Sequence, residues 1–76
     1  MQRVKLLWDF FGPDSKKIAE HHLVHLSDFS KNESISFHNS GIDFESENNY
    51  YSFITIDFSN LDVIKKKLKP NRAFKA

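Results

Sequence analysis

The chain contains no cysteine, only two glycines and two prolines, and no long apolar run. Each scarcity excludes something. Without cysteine there is no disulfide staple, no thiolate zinc site and no cysteine nucleophile. With Gly12 and Gly41 as the only glycines, no glycine-rich loop can cradle a phosphate. No segment approaches the ~20 apolar residues of a membrane-spanning helix. The opening stretch from Met1 to Phe11 does not read as a signal peptide, because its apolar run is short and Asp9 interrupts it. A cytoplasmic protein with no membrane partner is the expectation.

What the chain does have is aromatic mass, with Phe supplying 8 of its 76 residues. A domain of this length buries only about 60% of the surface its unfolded chain exposes. Large aromatics remove much apolar area per residue ordered, so they suit a small core. Residues 1–76 form a single domain on this reading, and sharing a surface with a second copy would add stability.

The formal charge of +1 conceals an uneven distribution. All ten Asp and Glu lie in residues 1–64 with five Lys and Arg, a balance of −5; residues 65–76 hold six cations and no acid. Lys65, Lys66, Lys67 and Lys69 are thus the candidate nucleic-acid contacts. The competing explanation is a solvated helix face whose cations suit the negative end of the helix dipole.

Periodicity places the elements. Arg3 to Phe11 alternates as a strand, with Val4, Leu6, Trp8 and Phe10 on one side and Lys5, Leu7, Asp9 and Phe11 on the other. Gly12-Pro13-Asp14-Ser15 breaks it and starts a helix running to about Phe29 or Ser30, with Ile18, Ala19, Leu23, Leu26 and Phe29 as its apolar stripe. The pulses Ile35/Phe37 and Ile42/Phe44 read either as one bulged strand or as two short strands around a turn. Tyr50 to Phe58 is the clearest strand. Ser59 and Asp62 have the spacing of a capping box before a second helix that buries Leu61, Ile64 and Leu68 and stops at Pro70. Residues 70–76 read as a short edge strand or a loose tail. The order β-α-β-β-α, with or without a final β, is that of an α+β, ferredoxin-like split β-α-β sandwich, an antiparallel sheet with two helices on one face.

Two groups of residues could carry function. His21, His22 and His25 sit at helical spacings of three and four, which lets imidazoles share a divalent metal, with Asp28 or His38 to complete the set. The zinc-protease motif is excluded, because it needs Glu where His22 stands. On the helical wheel His22 falls inside the apolar stripe, His25 at its edge and His21 nearer solvent, so a packed neutral imidazole is the simpler role for His22. The second group is the sheet face that two helices would leave open: Leu7, Phe11, Tyr51 and Phe53, surrounded by Lys5, Asp9, Thr55 and Asp57. Four large apolar side chains on one open face point to an interface, with a second copy or another protein as the partner. RNA recognition by this face is disfavoured, since Asp9, Asp43, Glu45 and Asp57 repel phosphate and the glycines of the base-stacking motif are missing.

Leu7-Trp8-Asp9-Phe10-Phe11-Gly12-Pro13-Asp14, the stretch Ala19-Glu20-His21-His22-Leu23-Val24-His25-Leu26 and the closing Leu68-Lys69-Pro70-Asn71-Arg72-Ala73-Phe74 resemble a family of small uncharacterised bacterial proteins. That resemblance implies a fold and a small bacterial protein, but no reaction. The expectation is therefore a non-enzymatic domain without a cofactor that self-associates or meets a partner through its open sheet face. The alternative is a metal- or ligand-binding helix at His21, His22 and His25.

Overall fold

The computed structural model describes residues 2–76. Strand β1 (Arg3–Phe11) leads to helix α1 (Ser15–Glu33), then to strands β2 (Asn39–Ser46) and β3 (Asn49–Asp57). A 3-10 turn (Phe58–Asn60), helix α2 (Leu61–Leu68) and strand β4 (Arg72–Lys75) follow. The fold is α+β, with one four-stranded antiparallel sheet in the order β2-β3-β1-β4 and two helices.

Alternation along the two central strands builds the core. Leu6 stands opposite Ile54 and Val4 opposite Ile56, so four branched side chains project to one side. Leu26 of α1 and Ile64 of α2 close over them, and Leu6, Ile54, Ile56, Leu26 and Ile64 are all fully buried. Each such side chain contributes roughly 1.5–3 kcal/mol by leaving water. Trp8 extends this cluster, and its indole Nε1 donates to the Leu68 carbonyl at 2.9 Å. One side chain thus fills the core and caps the end of α2. The polar end of Trp is satisfied where α2 has run out of intrahelical donors.

The junctions use local chemistry. Gly12 turns out of β1 at φ 109°, in the region where glycine alone has no Cβ penalty. Its amide donates to the Asn48 carbonyl at 2.8 Å. At the β4 edge, the Asn71 amide donates to the Leu7 carbonyl at 2.9 Å, and the Asn71 Oδ1 accepts from the Asp9 amide at 3.0 Å. These two bonds seat β4 along β1.

Several expectations are corrected. Helix α1 continues past Ser30 to Glu33, because Ser30-Lys31-Asn32-Glu33 is polar but contains no helix breaker; Ser34, at φ 54°, ends it. Ile35 and Phe37 lie outside any strand and pack on the core margin, so residues 39–46 form one strand, with the irregularity between Phe44 and Ser46 and not at Gly41. No Ser59 capping box forms: Ser59 falls inside the 3-10 turn, and Asn60 precedes α2 without a side-chain cap. The same turn ends β3 at Asp57 and not at Phe58, which is left 55% exposed. Ile18, at the rim of the α1 stripe, is also exposed. The tail is a strand, β4, on the sheet edge beside β1.

Candidate functional site

Both helices cover the Val4-Leu6-Trp8 side of the sheet, so the other side is a single surface. Register sets its members. Lys5, Leu7, Asp9 and Phe11 come from β1, and Tyr51, Phe53, Thr55 and Asp57 stand opposite them on β3 or alternate with those that do. Gly41 and Asp43 of β2 face Phe53 and Tyr51. Arg72 and Phe74 of β4 face Leu7 and Lys5.

The face is built around Leu7, which is only 4% exposed although no helix lies over it. Its cross-strand neighbours are Phe53 on one side and Arg72 on the other. The Phe53 ring lies across Gly41: a Cβ there would come within 3.1 Å of the ring carbon Cζ. Glycine at position 41 is therefore what lets the ring lie down on β2, a pairing that also shields the strand backbone. The Lys5 ammonium sits 4.4 Å from the centroid of the same ring. Ammonium over an aromatic face is an attraction of order 0.5–1 kcal/mol at an exposed site.

Arg72 organises the other half. Its Nε donates to Asp9 Oδ2 at 3.0 Å, Nη2 to Asp9 Oδ1 at 2.7 Å, and Nη1 to Glu45 Oε1 at 2.9 Å. The guanidinium carbon stands 5.5 Å from the Tyr51 ring centroid. The hydrogen bonds that Arg72 donates to Asp9 and then to Glu45 raise its pKa, which holds it fully charged. The Tyr51 phenol is also raised, first by burial and then by Asp43 and Glu45, with Arg72 opposing. Such a phenol stays protonated at neutral pH.

Of the four residues the sequence placed here, Phe11 is the most exposed at 72%, Tyr51 and Phe53 are half-buried and Leu7 is buried beneath its neighbours. Two members were missed. Phe74 is 50% exposed on this face, and Arg72 ties three strands together. Treating the tail as a strand would have found both, because they alternate with Ala73 opposite the residues of β1.

The three histidines divide between two environments. His22 turns toward the sheet, where its Nδ1 is 2.7 Å from Ser52 Oγ and its ring lies 5.2 Å from Trp8 and 5.3 Å from Phe10. Burial, helped by His25, lowers its pKa. His21 and His25 are exposed and face each other, Nε2 to Nε2, at 2.9 Å. His38 lies elsewhere and pairs with Asp57 Oδ1 at 2.7 Å. Among the described residues no three His, Asp or Glu converge on one point.

Lys65, Lys66 and Lys67 occupy the last turn of α2, with Lys69 as its left-handed cap. All four are exposed, and Lys67 pairs with Glu33. They belong to the helix layer, on the opposite side of the sheet from Tyr51 and Phe53. The α2 lysines and the aromatics of the open face are thus not brought together. A cleft of about 340 Å³ opens beside β4, lined in part by Val4, Phe58, Leu61, Ala73 and Phe74. Its charged side chains, Arg3 and Lys75, are both cations.

No family model, curated protein or solved structure matches this chain. No helix among the described residues is long and apolar enough to cross a membrane.

Proposed function

We propose that this protein is a non-enzymatic, ferredoxin-like domain that forms a homodimer through its uncovered sheet face. The β-α-β-β-α-β order, with β1 and β3 central and β2 and β4 at the edges, supports the ferredoxin-like reading. A small cytoplasmic bacterial protein is part of this proposal, the bacterial origin resting on the resemblance and the compartment on the lack of a signal-like or long apolar segment in the sequence.

The observation that carries the dimer is the composition of that face and the contacts within it. Phe11, Tyr51, Phe53 and Phe74 are aromatic, and Tyr51 and Phe53 are held in place by Arg72, Lys5 and Gly41. Tyr, Phe and Arg are the residue types that anchor interfaces, and side chains already fixed lose little entropy on binding. A two-fold interface must complement itself. Lys5 and Arg72 sit among Asp9, Asp43, Glu45 and Asp57, so the face carries both signs of charge, which supports pairing with a second copy. The same acids oppose phosphate, which disfavours nucleic acid as the occupant. Asp9, Arg72 and Glu45 are bonded to one another on this face.

Sedimentation equilibrium tests the reading. The unaltered chain should run at twice its 8.9 kDa mass, and Phe53→Asp as a folded monomer. Phe11→Asp is the second variant, since Phe11 is 72% exposed and its replacement spares the packing on Gly41. A dimer that survives both substitutions contradicts the proposal.

A further inference from the structure

We propose that His21 and His25 form a bidentate site for a divalent late-transition-metal ion that favours right-angled coordination, of the Cu²⁺ or Ni²⁺ class. Both residues lie one turn apart in the middle of α1, a helix of 19 residues anchored by buried Ala19 and Leu26, so their Cα positions are fixed before any ion arrives. Their Nε2 atoms are 2.9 Å apart and their ring planes stand at 82°. With metal–imidazole bonds of about 2.0–2.1 Å, a 2.9 Å separation subtends about 90° at the metal. That is the angle between adjacent positions of a square-planar or octahedral ion. Both rings are exposed, so the remaining coordination positions are open to water or to an added ligand.

The set is limited to two. His22 is turned inward onto Ser52, and His38 is held by Asp57. Asp28 follows His25 by three residues and Lys17 precedes His21 by four on the same helix, with Glu20 adjacent to His21. Without metal, one imidazole donates to the other; with metal, both must present lone pairs, which requires both to be neutral.

The test is calorimetric titration of the full chain with Cu²⁺ alone, paired with electron paramagnetic resonance of the copper-loaded protein. The expected result is one ion per chain with two nitrogen ligands in the spectrum. His21→Ala and His25→Ala should each weaken binding at least ten-fold with unchanged circular dichroism. His38→Ala should leave affinity within two-fold. Binding that persists in His21→Ala, or that disappears in His38→Ala, overturns the assignment. So does the absence of any heat or of a nitrogen-coupled signal.

Discussion

The Arg72 guanidinium grips the Asp9 carboxylate through two parallel hydrogen bonds, 3.0 Å from Nε and 2.7 Å from Nη2, joining the last strand to the first. A fork-to-fork pair of this kind fixes orientation as well as charge. Because Nη1 also reaches Glu45 on β2, one side chain spans the sheet face from edge to edge, across the Tyr51 ring.

Arg72→Lys should therefore be a poor replacement. A single ammonium cannot serve Asp9 twice and Glu45 as well. The urea midpoint should fall, with β4 amides losing hydrogen-exchange protection before those of β3. Equal protection of both strands in the variant would contradict the role given to Arg72.

At position 41 the expectation concerns size. Any Cβ must push the Phe53 ring, which lies within 3.1 Å of where it would stand, and a branched one more so. Gly41→Val should destabilise the fold by about 1–2 kcal/mol through overpacking. Pairing it with Phe53→Leu should recover part of the loss, as a double-mutant cycle in urea would reveal. Strict additivity would show that the two do not touch.

Trp8→Phe keeps most of the ring area but removes the donor to the Leu68 carbonyl. The loss of a half-buried hydrogen bond of this type costs about 1 kcal/mol, seen as earlier denaturation with an unchanged m-value. Leu6→Ala, at the centre of the core, should cost about 2–5 kcal/mol, a large share of the stability of a domain this small.

His22 gives the protein a pH dependence of definite sign. Its pKa is lowered on folding, first by burial and then by His25, so between the folded and unfolded values the unfolded chain binds more protons. Stability from this residue is complete above the unfolded value of 6.5 and is lost as pH falls from there through the lower folded value. The double variant His22→Leu with Ser52→Ala removes the titrating ring without orphaning the hydroxyl. Its denaturation midpoint should vary less between pH 7 and about pH 5 than that of the unaltered chain. An identical slope would place the dependence on another histidine.

How much of this was legible beforehand follows from the range of the interactions. The strand bounds of β1 and the inward set Val4, Leu6, Trp8, Ile54 and Ile56 follow from a period of two. The inward turn of His22 follows from the helical wheel. Leu7 did not follow, because its burial depends on an Arg 65 positions later and on a ring resting on Gly41, contacts that no local pattern encodes. Phe58 failed for a local reason, since a 3-10 turn interrupts the alternation one residue after β3. Ser30–Glu33 failed because polarity on an exposed helix surface looks the same as a loop. For the histidines, spacing alone allowed all three to share an ion; only the packing of Trp8, Phe10 and Ser52 around His22 separates it from His21 and His25.

The most direct test of the dimer is native mass spectrometry of the unaltered protein, purified without chelators and sprayed over a range of micromolar concentrations. A species at twice 8.9 kDa that gives way to monomer on dilution, and that is missing in Phe53→Asp and Phe11→Asp, is the predicted result. A chain that stays at 8.9 kDa at every concentration would contradict the sheet-face interface.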